Sequence, residues 1–347
     1  MAAQRNGGVS FGSTGSTDSS GAAPSEPGAA AAGPASGEPP VKFAATLGRP
    51  MDGAGMLWMA FLTSLWGLNS VSVKVVTNGI APIMGAALRS ALALVLLTLY
   101  GLWRGEPLRY RGRVGLHGLV IGAMFSLEFS LMYGGARLSN AGHTALFINT
   151  SPLFVALGAH WLLPGERLTT VRLLGLAAAF AGIVTLFADK PNMWDTGFWR
   201  GDLLLLASAI MWAASTLYIK RLLVGRMRPF GMLYHQILVS TPILGLLSLL
   251  FERERFFAVD GTVLLSLGYQ GLVVVFFSYL MWMVLLHRYV ASRLQSFTFM
   301  SPLWGVAFAT ILLGEPVSPY LAATLVLAGG GLYLINRRPA RPGITVD

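Results

Sequence analysis

The sequence contains no cysteine, so disulfides, thiolate nucleophiles and cysteine-ligated metals are excluded. Charge is scarce as well: only 12% of the 347 residues are Asp, Glu, Lys or Arg, where a soluble domain carries about 25%. The chain has no HExxH run and no paired aspartates, the ligand sets a membrane-embedded metallohydrolase would need. A GxxxxGK[ST] run is missing too, so ATP-driven pumping would require a separate subunit. Neither a ring of repeated charges nor a filter-like loop is present to build an ion channel. These absences point away from an enzyme, and no cofactor or metal is expected.

Apolar sequence is abundant instead. Hydrophobic residues make up 54% of the chain, mean hydropathy is +0.62, and there are 41 glycines. Small residues let membrane helices approach closely. The net charge of +10 would raise nucleic acid in a soluble protein. Here the basic residues fall between apolar runs, where membrane topology accounts for them, and no nucleic-acid partner is expected.

Residues 1–52 are Gly, Ala, Ser, Pro and Thr with few large apolar side chains. Such a segment buries too little surface to offset its ordering entropy, and it lacks the continuous apolar stretch of a signal peptide. It reads as a disordered cytoplasmic tail. From Met56 onward, apolar runs of membrane-spanning length recur at 56–77, 82–103, 114–136, 140–163, 170–188, 201–220, 230–251, 262–286, 290–313 and 318–336. The predicted architecture is an all-α integral membrane protein of ten transmembrane helices, with a short tail over 337–347. With the N-terminus inside, the inner loops hold fifteen Lys and Arg and the outer loops five. The positive-inside rule then places both termini in the cytoplasm, and the lack of cysteine suits a bacterial inner membrane.

The two halves match. Trp66, with Asn69, Ser70 and Lys74 behind it, corresponds to Trp212 with Ser215, Thr216 and Lys220, 146 positions later. The same offset carries Arg89 onto His235. Ser151-Pro152-Leu153 corresponds to Ser301-Pro302-Leu303, and Gly165-Glu166 to Gly314-Glu315. Each unit, 53–189 and 190–336, would hold five spans. An odd number inverts the second copy relative to the first, the construction behind alternating access in many secondary transporters.

The Leu65-Trp66-Gly67 opening, Ala87-Leu88-Arg89, the paired Ser-Pro steps, Gly-Glu-Arg-Leu at 165–168 and Gly-Glu-Pro at 314–316 carry a resemblance to a known family. Over residues 56–336 the sequence resembles the EamA-type branch of the drug/metabolite transporter superfamily. That resemblance implies an export-competent carrier of amino acids or other small metabolites, with a small-molecule substrate and the lipid bilayer as its partners. A channel, or a receptor or scaffold without active transport, is the alternative reading.

Charges inside a membrane are costly and default to functional candidates. Glu128 is the one carboxylate well inside a predicted span. Burial disfavours the charged form of a carboxyl group unless a cation sits beside it, so Glu128 is a candidate for proton coupling or for a substrate ammonium. Its bland alternative is a structural partner for Arg89 or Lys74. Arg89 is a fork for a substrate carboxylate or for Glu128. Lys74 is a further candidate for binding substrate or ion, although it and Lys220 lie near helix ends, where an ammonium can instead snorkel to the interface. Trp66 with Asn69, and Trp212 with Ser215, put an aromatic and a polar group on one helix face. Tyr133, His143, Asn149, His235, Tyr279 and Trp282 complete the cavity candidates. Pro152 and Pro302 fall mid-span and free carbonyls four residues back, marking hinges or ligand sites. Glu166 and Glu315 precede helices whose dipoles favour a carboxylate there, so they read as caps or gate elements. The small residues of 178–182 and 329–331 suit close packing within the bundle or across a homodimer.

Overall fold

Backbone N–H and C=O groups in lipid must be paired within their own segment, so apolar runs of this length become helices. The computed structural model describes residues 48–110, 112–188, 193–314 and 319–337. Its helices are α1 (Gly53–Thr77), α2 (Pro82–Arg104), α3 (Gly112–Leu138), α4 (Ala141–Ile148), α5 (Ser151–Leu162), α6 (Thr170–Phe187), α7 (Trp199–Tyr218), α8 (Pro229–Phe251), α9 (Gly261–Tyr269), α10 (Tyr279–Arg288), α11 (Ala291–Ser296), α12 (Ser301–Leu313) and α13 (Leu321–Asn336). Most of residues 1–52, the end of the chain from 338, and Glu315 with Pro316 lie outside the described residues. Residues 48–52, assigned to the tail by composition, are held in place. Arg49 exchanges backbone hydrogen bonds with Arg288 and Val290, and Asp52 caps α1 by accepting from the Gly55 amide at 2.8 Å.

Helix starts follow local chemistry. Asn140 caps α4, Thr169 caps α6 and Asp260 caps α9, each accepting from an amide of the first turn. Proline opens α2, α5, α8 and α12, where its missing N–H leaves no orphan.

Several expected spans are interrupted. The fourth breaks between Ile148 and Ser151, where Asn149 Nδ2 donates to the Ala145 carbonyl and Thr150 Oγ1 to that of Phe147. The ninth breaks at the same place in the second half, into α11, a 3₁₀ turn over Phe297–Met300, and α12. Pro152 and Pro302 therefore sit in the first turn of a restarted helix, not inside a continuous one. Two π-helical stretches, Ile219–Leu223 after α7 and Gln270–Ser278 between α9 and α10, were not anticipated. Wider turns of this kind often accompany functional sites.

Among the described residues, eight helical passes are long and apolar enough to cross a membrane, and α13 is a shorter apolar helix. The expected count of ten is not confirmed by length and composition among the described residues: α13 has 16 residues, and the pass holding the 13-residue α12 is not among the eight.

The core is built by α2, α3, α7 and α8, with α3 packed on both α7 and α8, and α2 on α8. α6 packs along α13, and α1 along α12. α2 and α8 run antiparallel and hold each other's ends. The Glu252 carboxylate at the end of α8 accepts from the Ile83 and Met84 amides at the start of α2 (2.8 and 2.9 Å) and from Ser248 Oγ (2.6 Å). Beyond the other end of α2, Glu106 pairs with Arg228, the residue preceding α8, at 3.2 Å.

Candidate substrate site

Inside this core α2, α3 and α10 bring together four of the residues singled out from sequence. Arg89 is 2% exposed and Glu128 is 5% exposed. The Arg89 guanidinium lies 4.8 Å from the centre of the Phe129 ring, a cation–π contact strengthened by exclusion of water. It also faces the Tyr279 hydroxyl, and Glu128 and Tyr133 lie within electrostatic reach of the same hydroxyl. The Phe125, Phe129 and Tyr133 rings run along α3 one turn apart, and Phe125 meets Tyr279 edge-on at 6.3 Å.

Arg89 and Glu128 are near enough to interact electrostatically, yet Arg89 Nε and Glu128 Oε2 have no hydrogen-bond partner. A buried polar atom left unpaired is costly, more so when charged, so this pair is an incomplete polar site among aromatic walls. It can take up one group that accepts from the guanidinium and one that donates to the carboxylate.

A tryptophan layer adjoins it. Trp66 Nε1 donates to Ser278 Oγ at 2.9 Å, immediately before Tyr279 in the chain. Trp282 packs against Trp66 at 5.6 Å and Trp212 at 6.2 Å. Ser215 is buried one turn from Trp212 on α7, and Asn69 Oδ1, a turn beyond Trp66, is buried without a partner.

Other candidates lie elsewhere. His143 bridges Asp202 Oδ2 (2.8 Å) and the Met193 carbonyl (2.9 Å), and Ser139 Oγ donates to the other Asp202 oxygen. This polar knot ties the start of α4 to the start of α7. His235 bonds the Gly231 carbonyl and packs between Tyr110 and Tyr234. Asn149 is committed to its own helix, and Lys74 is exposed in the last turn of α1.

Two expectations are corrected. Lys220 does not snorkel: it is 1% exposed and donates to the carbonyls of Leu286 (2.7 Å) and Tyr289 (2.8 Å). Glu166 does cap a helix, but not the one that follows it, because Thr169 already fills the cap of α6. Its carboxylate instead accepts from the Ala291 and Ser292 amides at the start of α11, both at 2.9 Å.

Sequence reading missed Ser278, Phe125 and Phe129, which look like ordinary apolar-helix residues. It also missed Glu106 and Glu252, although they stand 146 positions apart, the offset that relates the two tryptophans. No group of three or more potential metal ligands occurs among the described residues.

Comparison with known proteins identifies the family and the fold. A model of the EamA-like transporter family matches residues 53–188 and again residues 199–337. The chain is 27% identical over 293 residues to the uncharacterized transporter YvbV of Bacillus subtilis, covering 81% of this chain and 91% of that one. It is 30% identical over 278 residues to a "probable amino-acid metabolite efflux pump" of Salmonella typhimurium, covering 78% and 90%. A solved crystal structure superposes with a TM-score of 0.72 at 21% identity, over 82% of this chain and 98% of that chain, which shows the fold.

Proposed function

Because the chain belongs to the EamA-like transporter family and is a multi-pass membrane protein, we propose that it exports small zwitterionic metabolites, amino acids among them, by alternating access. The carrying observation is the buried Arg89–Glu128 pair with its unsatisfied Nε and Oε2. A substrate carboxylate would lie on Arg89 in the bidentate manner that suits a guanidinium. The substrate ammonium would lie on Glu128, with the Tyr279, Phe129 and Trp66 rings around its apolar part. The relative named as an amino-acid metabolite efflux pump supports the same substrate class.

The two repeats are read as 53–189 and 190–336, of five spans each and inverted in topology. The passes broken ahead of Pro152 and Pro302 are their hinges. Lys and Arg in the loops favour an inner-membrane protein with both termini cytoplasmic. Glu128 is the proton-coupling group: proton and substrate ammonium compete for one carboxylate, so each is released as the other binds.

Reconstitution in liposomes tests this. Labelled amino acids would be offered with and without a pH gradient, to wild type, Glu128→Gln and Arg89→Ala. Gradient-driven accumulation in wild type is expected, with exchange but no accumulation in Glu128→Gln. Loss of zwitterion transport is expected in Arg89→Ala. Accumulation by Glu128→Gln at the wild-type level would remove the coupling role. Equal transport of zwitterions by Arg89→Ala and wild type would overturn the site.

A further inference from the structure

α5 and α6 are consecutive in the chain but diverge in space, since α5 packs on α7 and α11 while α6 packs along α13. The wedge between them is a groove of about 580 Å³, within the range of about 300–1,000 Å³ typical of ligand sites. Leu153 and Leu157 of α5 face Leu173, Ala177, Phe180 and Val184 of α6 across it. The one polar side chain in its lining is Thr185, whose hydroxyl is spent on the Ala181 carbonyl at 2.8 Å. The groove therefore offers its occupant no free hydrogen-bonding side chain, and that occupant is apolar. Along α6, from Leu173 to Thr185, it extends about 18 Å.

The end of the groove near the start of α6 has the opposite character. There it shares Leu168 and Leu176 with a small cavity lined by Glu166, Arg167, Arg172 and Ser292. Glu166 gives its oxygens to the Ala291 and Ser292 amides. Arg172 is braced by donating to the Arg167 carbonyl at 2.8 Å. Neither arginine takes part in an ion pair among the described residues. Both also lie at the positive end of the α6 dipole, where cations are disfavoured and anions are bound.

We propose that this groove is a binding site for an anionic phospholipid. The phosphate lies over Arg167 and Arg172, and one acyl chain follows α6 between the two helices. Basic clusters at the membrane face between spanning helices recognise anionic headgroups in this way. The occupant is lipid and not exported solute, because the apolar length and the cationic end suit a headgroup joined to a chain.

Native mass spectrometry of the full-length protein in neutral detergent tests the proposal, using phosphatidylglycerol and phosphatidylcholine with identical dioleoyl chains. Wild type is expected to retain phosphatidylglycerol in preference. In R167Q/R172Q that preference should fall about tenfold or more, while the fold, checked by circular dichroism, stays intact. A181W fills the groove without changing charge and should reduce retention of both lipids. Soluble glycerophosphate should not compete, since it has no chain to bury. Equal retention of the two lipids by wild type, or an undiminished preference in R167Q/R172Q, would overturn the site. So would A181W leaving lipid retention unchanged while abolishing self-association, because the groove would then belong to a second copy of the chain.

Discussion

Lys220 and Glu166 hold opposite sides of one turn. The Lys220 ammonium donates to the Leu286 and Tyr289 carbonyls, where α10 ends, and the Glu166 carboxylate accepts from the Ala291 and Ser292 amides, where α11 begins. Each charge sits where a helix dipole favours it, and the two attract one another. The turn is thereby tied to the end of α7 and to the loop between α5 and α6. Arg49 and Asp52 tie it to the start of α1 as well.

Lys220→Met is expected to loosen this end of the bundle. It leaves buried carbonyls unpaired, at about 1–3 kcal/mol for each unsatisfied group, and removes the cation beside Glu166. The melting temperature in detergent should fall. Combined with Glu166→Gln the loss should be less than additive, because the two side chains serve one turn. The natural absence of cysteine provides a second readout. A single Val290→Cys should react with a maleimide faster in the Lys220→Met background. Additive losses with unchanged labelling would show that the turn is held by other contacts.

The α6–α13 interface predicts opposite outcomes for neighbouring glycines. A Cβ on Gly331 would lie 2.4 Å from the Gly175 carbonyl oxygen and 2.6 Å from the Ala179 amide nitrogen, whereas a Cβ on Gly330 meets nothing within 4 Å. Backbone cannot yield as a flexible side chain does, so Gly331→Ala should destabilise by about 1–3 kcal/mol. Gly330→Ala should be neutral or slightly stabilising, since alanine restricts the unfolded chain. Thermal unfolding of the two variants side by side decides it, and equal melting temperatures would rule out the close contact.

Much of this was legible in the sequence because lipid imposes a simple code. Apolar length gave the helices to within a few residues, as in α2, expected over 82–103 and found over Pro82–Arg104. Rarity of charge likewise singled out Arg89 and Glu128. What depended on contacts between distant segments was not legible. Lys220 looked like a snorkelling helix-end lysine because the carbonyls it serves lie 66 and 69 residues away. His235 occupies the repeat position of Arg89, but its ring fills the space left by Gly118, so equal position did not bring equal surroundings. The π-helical turns carry no composition signal distinguishing them from the α-helices around them.

Burial of Arg89 and Glu128 together predicts that removing one is worse than removing both. Arg89→Ala leaves the buried Glu128 carboxyl group without the cation near it, which should lower stability. In Arg89→Ala/Glu128→Ala no charge is stranded, so the double variant should melt above the Arg89→Ala single variant. Transport would be lost in both, which separates stability from binding. A double variant less stable than the single one would mean that the two side chains do not compensate each other's charge.

The contact between Tyr289 and Asp52 predicts how the same end of the bundle responds to pH. The Tyr289 hydroxyl donates to Asp52 Oδ1 at 2.6 Å, and Arg49 pairs with Asp52 at 3.1 Å. The Tyr289 hydrogen bond, and then the Gly55 amide and Arg49, hold the Asp52 carboxyl below its ordinary 3.8. Burial and the neighbouring carboxylate push the Tyr289 hydroxyl above its ordinary 10.0. A depressed carboxyl contributes stability above its unfolded value and loses it as pH falls through the folded one; a raised phenol contributes below its unfolded value and loses it as pH rises through the folded one. Both contributions are therefore present at neutral pH. The melting-temperature difference between wild type and Tyr289→Phe should be constant there and shrink at either extreme. Because Asp52 is partly solvent-exposed, the difference should be small and should weaken with added salt. A difference that stays undiminished down to about pH 3 would separate the Tyr289 contact from Asp52 ionisation.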